Sequence, residues 1–409
     1  MATLFPFRAL RPLSDLASRI AAVPYDVVST DEARALADGN PLSFLRVSRP
    51  EIELPPGTDP YAPEVYERAA ANFERLKPSM MLEEQPSVYF YRLRMGTHEQ
   101  TGLAACYSID EYDRDIIKKH ERTRRDKEDD RTRHMLALGA QTGPVFLTYR
   151  AVAEVDQIAT RVTAGPPVYD FEAPDGVRHQ VWRVGSGDCD ALVAAFAHIP
   201  ALYIADGHHR AASAARARAD IRDRAIPRTS LGDHADYTTF LGVAFPHNQT
   251  QILAYNRIVK DLGGHAPEAF LNAVRERFEM EAGTAVPSTR GQISMYFQGG
   301  WQTLRPRVRP NEADPISALD VSVLQEQLLA PVLGIADIRT DKRIDFVGGA
   351  RGTGALEKLV DSGAAAVAFS LYPVSVADLM AVSDAGEIMP PKSTWFEPKL
   401  RDGLLIHMI

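Results

Sequence analysis

A mixed α/β fold of the α+β class is predicted by three observations. Short apolar runs of strand length recur along the whole chain. Stretches with helical spacing or helix-start signals lie between them. No internal repeat or low-complexity tract interrupts the alternation. Such a mixture fits neither a helical bundle nor a sandwich. The order of strands within a sheet is not legible at this stage.

The elements follow in order. Residues 13–22 have helical spacing and stop before Val23-Pro24-Tyr25-Asp26-Val27-Val28. Ser29-Thr30-Asp31-Glu32 is a capping-box pattern that opens a helix, and Gly39 can close it. Residues 50–60 are proline-rich and read as a loop. Residues 61–76 form an amphipathic helix. Residues 87–93 and 102–109 read as paired strands joined by a polar turn over 96–101. Residues 111–134 are densely charged with both signs, and a helical run continues to Leu138 before a turn at 139–143. Further strands are expected at 145–149, 177–184, 201–205, 240–245, 293–297 and 365–371. Helices are expected at 211–219, 319–329, 356–360 and 376–382.

Composition narrows the function classes. The 409 residues suffice for two or three domains or one large elaborated one. Hydrophobic and charged fractions of 45% and 24% are those of an ordinary globular protein. A net charge of -8 argues against nucleic acid or a membrane surface as partner. Only two cysteines occur, Cys106 and Cys189. Both read as small core residues in a reducing compartment, and the N-terminus shows no signal-peptide apolar region, so a cytoplasmic protein is expected.

The most informative run is Asp206-Gly207-His208-His209-Arg210, between the 201–205 strand and the 211–219 helix. Asp206 can cap the helix and Gly207 permits a tight turn. A helix N-terminus offers unpaired N–H groups to anions, and Arg210 adds a planar fork suited to phosphate oxygens. The expected guest is a phosphorylated ligand, a nucleotide above all. Adjacent His208 and His209 point in different directions on a helix and cannot share one metal. The charged run contains Lys118-Lys119-His120-Glu121-Arg122-Thr123-Arg124-Arg125, whose basic side chains suit a polyphosphate and whose Glu121 can accept a proton. Near the C-terminus, Lys392 and Lys399 flank Trp395-Phe396 and are placed to reach a bound anion. Gly348-Gly349-Ala350-Arg351-Gly352-Thr353-Gly354 lacks any P-loop lysine and reads as a flexible turn.

Val23 to Val28, Lys119-His120-Glu121-Arg122-Thr123, Ile204 to Arg210, Leu319-Asp320-Val321 and residues 386–400, in this order, resemble a prokaryotic family known as domain of unknown function 1015. The Asp-Gly-His-His-Arg run is also similar to the phosphate-binding turn of free L-serine kinases with a ParB/sulfiredoxin-like domain. In those kinases a His-Glu pair lies upstream and the Glu is the general base. The resemblance implies a ParB/sulfiredoxin-like nucleotide-binding core over 111–250, elaborated by α/β segments at 1–110 and 251–409, with the C-terminal tail returning to the core. It implies Glu121 as base, with His120 and Asp206 beside it. Gly207, His208, His209, Arg210, Arg125 and Lys392 would hold a nucleotide, ATP or ADP with Mg²⁺. Here the His-Glu pair stands further from the turn, Ala211-Ala212-Ser213 follows Arg210, and Tyr255-Asn256-Arg257 replaces an expected Thr-His-Arg.

The expected function is phosphoryl transfer to the hydroxyl of free L-serine or another hydroxyl compound. The alternative is a nucleotide-binding or nucleotide-hydrolysing regulator with no small-molecule acceptor. A homodimer is the default assembly for such an enzyme.

Overall fold

Apolar runs that alternate with helices assemble into sheets whose order the sequence leaves open. The computed structural model describes residues 1–223 and 236–409. The chain forms two units, Met1–Thr250 with Pro398–Ile409, and Gln251–Glu397.

The first unit is built on a nine-stranded mixed sheet. Its order is Ile117–Lys118, Leu202–Asp206, Val145–Tyr149, Thr239–Pro246, His98–Ser108, Tyr89–Met95, Arg178–Arg183 and Tyr169–Glu172, with Leu4–Phe5 also against His98–Ser108. Two pairings are parallel: Leu202–Asp206 with Ile117–Lys118, and Thr239–Pro246 with Val145–Tyr149. Every residue of Val145–Tyr149 and Thr239–Pro246 is buried, as central strands covered on both faces require. Tyr107, Leu147, Phe196, Ile204 and Ala211 share one core. Each large apolar side chain buried there contributes about 1.5–3 kcal/mol. Cys106 and Cys189 are free and buried in this unit.

A smaller core holds Ile20, Phe44, Leu45 and Phe73. Pro63–Leu76 supplies it with Ala69, Phe73 and Leu76, a helical stripe. Ser29 accepts from the Glu32 N–H, Glu32 accepts from the Ser29 N–H, and the helix Thr30–Ala37 follows. Beside this core a four-stranded sheet runs Met80–Leu82, Ala9–Pro12, Ile406–Met408, Ala140–Gln141. The C-terminal strand is therefore integral to the first unit. Residues 1–110 and 111–250, read as separate segments in the sequence, share the nine-stranded sheet because Thr239–Pro246 pairs with His98–Ser108.

The second unit is a six-stranded antiparallel sheet in the order Phe278–Ala282, Gly300–Pro306, Ile293–Phe297, Val367–Leu371, Tyr255–Val259, Ile344–Gly348. Helices Pro267–Arg277, Gly354–Asp361 and Val376–Asp384 also belong to it.

Three expectations are corrected. The first hairpin turns at Gly96-Thr97 alone, because Met95 pairs with His98, and 98–101 continue the strand. The helix expected at 319–329 is α-helical only over Asp320–Leu324 and widens into a π turn over Gln325–Leu329. The loop expected at 50–60 begins with the single 3₁₀ turn Pro50–Glu53. Unanticipated strands such as Phe278–Ala282 carry charge on alternate positions, which blunts an apolar-run signal.

Gly403 fixes the returning tail: its φ is +79°, and a Cβ there would stand 2.4 Å from the buried Phe44 ring. Gly403→Ala should destabilise the protein by about 1–3 kcal/mol, read as a lowered urea midpoint.

Candidate active site

Parallel neighbours deliver their C-terminal ends to the same edge of a sheet. Leu202 stands opposite Ile117 and Tyr203 opposite Lys118. The chain beyond each strand therefore emerges side by side, with Lys119-His120-Glu121 next to Asp206-Gly207-His208. A β-bulge between Ile204 and Asp206, against Leu147 and Phe146, re-aims the strand end. The turn then closes at Gly207, whose φ of +92° excludes most other residues.

The helix runs His208–Asp223, and the N–H of Ala211 donates to the carbonyl of Gly207 at 3.1 Å. Gly207, not Asp206, is thus the capping position. The carboxylate of Asp206 instead meets Lys399, with Nζ 2.9 Å from Oδ2. Burial raises the Asp206 carboxyl, but Lys399 and Arg210 outweigh it and hold it well below the usual carboxylate range. Lys399 and Arg210 thus favour the charged form of Asp206.

His208 and His209 diverge as adjacent helical residues must. The rings of His120 and His208 pack edge to face with centroids 4.5 Å apart. Nε2 of His208 accepts from the His120 backbone N–H at 3.4 Å. This leaves Nδ1 of His208 as the protonated nitrogen, 4.0 Å from Oε2 of Glu121. Burial pushes His120 down to about 4 and His208 well below its ordinary value, so both rings are neutral near pH 7. His209 accepts from the Arg124 N–H at 3.0 Å and is also lowered by burial. Both histidines thereby hold the 120–124 segment against the helix. Glu121 keeps about two-fifths of its side chain exposed. The edge presents a carboxylate, neutral imidazoles, a lysine and a helix N-terminus.

Arg210 turns away from that edge into the protein. Its Nη1 donates to the Pro144 carbonyl at 2.7 Å, and its Nη2 lies 3.2 Å from Oδ1 of Asp26. The Val23–Val28 motif is brought to the turn in this way, and Tyr25 lies between two guanidinium groups, 4.1 Å from Arg131 and 5.8 Å from Arg210. Arg131 pairs with Asp130 at 2.8 Å, and Asp130 accepts from the Tyr66 hydroxyl at 3.0 Å. The charged stretch is thus not only a solvated face: the helix Arg125–Leu138 buries Asp130, Thr132 and His134. Asp402 completes the group. It is buried, and burial raises its carboxyl to about 7 against the pull of Arg210 and Arg131.

Arg125 is the exposed first residue of its helix. Lys392 belongs to the second unit, where it has a φ of +61° and its Nζ lies 5.5 Å from the Tyr255 ring centroid. Of the two candidate lysines, it is Lys399 that stands beside Asp206. Arg257, from the departing Tyr255-Asn256-Arg257 run, is fully buried in the second unit and donates to the Lys392 carbonyl at 3.1 Å. Sequence reasoning gave no role to Asp26 or Asp402, and only the Val23–Val28 motif pointed toward the former. Among the described residues, no cluster of three or more His, Cys, Asp or Glu could hold a metal ion, and no helix is long and apolar enough to cross a membrane.

A family model described as a protein of unknown function, DUF1015, matches residues 4–322. The chain belongs to the DUF1015 family. Solved structures similar to this DUF1015 protein include a free serine kinase in complex with AMP, at 11% identity over 74% of this chain and 91% of that one, with a TM-score of 0.37. Staphylococcus aureus SbnI with a C-terminal truncation is 13% identical over 75% and 87%, at 0.39. A conserved hypothetical protein from Pyrococcus furiosus is 12% identical over 74% and 94%, at 0.36. No curated protein matches the sequence.

Two measurements test the electrostatics of this DUF1015 site. Arg210→Ala strips the buried Pro144 carbonyl and the more exposed Asp26 carboxylate of their partner and should cost about 1–3 kcal/mol in chemical denaturation. Asp402 has a folded pKa of about 7, raised from 3.8, with Tyr25, Arg131, Arg210 and Asp26 around it. Its raised pKa favours the fold fully below about pH 4, and that contribution fades as pH rises through 7. Asp402→Asn should therefore match the parent near pH 4 and melt higher at pH 8, by thermal denaturation at both values.

Proposed function

We propose that the protein is a small-molecule kinase on a ParB/sulfiredoxin-like core, transferring a phosphoryl group from ATP or ADP to the hydroxyl of free L-serine. The observation that carries this reading is the meeting of His120-Glu121 with the Asp206–Arg210 turn at one sheet edge. The residues have the chemistry the reaction demands. Phosphoryl transfer requires positioning and charge neutralisation more than covalent assistance. The N-terminus of the His208–Asp223 helix and the ammonium of Lys399 suit phosphate oxygens. The protonated Nδ1 of His208 faces the same side as Glu121.

In the reaction, the serine hydroxyl oxygen bonds to phosphorus while the phosphorus–oxygen bond to the leaving nucleotide breaks. Glu121 takes the hydroxyl proton. Asp206 acts through Lys399 as a positioning residue, fixing the ammonium at the strand end. Arg210 acts from beneath, tying the turn to Asp26. Mg²⁺ would accompany the nucleotide phosphates.

The test is to incubate the protein with ATP or ADP, Mg²⁺ and L-serine, and to follow O-phosphoserine by mass spectrometry. Product should form only with serine present. Glu121→Gln should lower turnover by about 10²-fold or more while nucleotide affinity stays within twofold. Nucleotide consumption that ignores serine would replace this reading with the hydrolysing regulator. Full turnover in Glu121→Gln would remove Glu121 as the base.

A further inference from the structure

Residues 119–124 belong to neither strand nor helix. Two of their backbone N–H groups tie them to the Asp206–Arg210 turn. His120 donates to Nε2 of His208 at 3.4 Å, and Arg124 donates to Nε2 of His209 at 3.0 Å. Glu121 stands between these two anchors. The Thr123 hydroxyl donates to Glu128, which lies on the following helix and not on the turn. An imidazole accepts through Nε2 only while that nitrogen is bare, and protonation turns it into a donor that faces another donor. The two anchors differ in how readily this happens. His208 is buried and held well below its ordinary value, with His120, His209 and Lys119 opposing its charge and Asp206 favouring it. His209 is half-buried and makes the shorter bond. Burial lowers it too, while Asp26 and Glu128 favour its charged form and Lys127 and Arg124 oppose it. As pH falls, His209 is the anchor that a proton reaches first.

We propose that His209 is a positioning residue for Glu121: as a neutral acceptor it latches the 120–124 segment to the turn, and as a cation it lets that segment go. The latch depends on one bare nitrogen and not on the bulk or charge of the ring. Because the folded value lies below the ordinary 6.5, the tie is fully present above about pH 6.5 and is lost as pH falls through the folded value. The turn itself is closed by the Ala211 N–H on the Gly207 carbonyl and braced by Arg210 on the Pro144 carbonyl, and a proton on His209 leaves both bonds intact. Opening the latch therefore lowers kcat and spares nucleotide affinity. The role of Glu121 as base rests on the phosphotransfer reading, whereas the latch does not.

The experiment is amide hydrogen exchange of the full chain without ligand, by rapid-mixing mass spectrometry at pH 7 and pH 4.5, expressed as protection relative to intrinsic rates. The 145–149 strand serves as the reference for global unfolding. Protection over 119–125 should fall about tenfold between the two values while the reference strand keeps its own. His209→Gln, whose side-chain oxygen accepts without titrating, should keep the protection at both values and move the acid limb of kcat to lower pH. His209→Leu should show low protection at both. Parent protection that does not change with pH, a His209→Gln variant that follows the parent, or a His209→Leu variant still protected at pH 7 would overturn the latch. The two readings separate. The expected exchange pattern with no O-phosphoserine at any pH would uphold the latch and remove the kinase. O-phosphoserine formed with the same acid limb in the parent and in His209→Gln would uphold the kinase and remove His209 as its positioning residue.

Discussion

The parallel pairing of Ile117–Lys118 with Leu202–Asp206 is the constraint on which the candidate site depends. Two residues separated by 85 positions, Glu121 and Asp206, become neighbours only because these strands run in the same direction and end at the same edge. An antiparallel pairing would send the two chain segments to opposite ends of the sheet. The short strand has only two residues, so the sheet alone holds it weakly. The loop after it is secured by side chains from the other partner: His208 and His209 each accept one backbone N–H of the 120–124 segment. The helix that follows the turn therefore stabilises the loop that precedes it in the chain, and the Asp-Gly-His-His-Arg run has a structural role of its own.

The charges divide along the same line. On the edge side, burial keeps His120 and His208 neutral, so the imidazoles donate or accept hydrogen bonds without adding charge. The positive end there comes from Lys399 and the helix N-terminus. On the inner side, the buried Arg210 pairs with the more exposed Asp26, and the half-buried Arg131 pairs with the buried Asp130, where loss of one partner leaves the buried ion uncompensated. Arg210 is thus fixed by structure, although its residue type in such a run suggests direct contact with phosphate. Its guanidinium has two protein acceptors already in place, the Pro144 carbonyl and the Asp26 carboxylate.

Much of the fold was legible because its central strands are uninterrupted apolar runs. The 145–149, 240–245 and 293–297 runs coincide closely with strands in the structure. So did the capping box at Ser29, whose signal is local. Edge strands were not legible, since half of their positions face solvent and carry charge. Within the site, the turn and the His-Glu pair were legible as residue types, and their proximity follows from strand order, which no local pattern encodes. Asp206 looked like a cap because Asp before Gly often is one. Asp206 stands one place before the capping position because the helix begins at His208, and it remains in the strand opposite Phe146. Asp402 and Asp26 carry no motif chemistry, and only the meeting of three distant segments gives them a role.

One segment links both sides of the site. In Pro398–Gly403, Lys399 reaches Asp206 at the sheet edge, Asp402 faces Arg210 and Arg131 behind the turn, and Gly403 donates its N–H to the Thr142 carbonyl at 3.0 Å. Asp402 also exchanges backbone hydrogen bonds with Ala22, just before the Val23–Val28 motif. The segment is itself held by the pairing of Ile406–Met408 with Ala9–Pro12 and Ala140–Gln141. The carboxylate on the turn and the carboxylate on the tail thus both lie in the field of one guanidinium, Arg210, which favours the charged form of each.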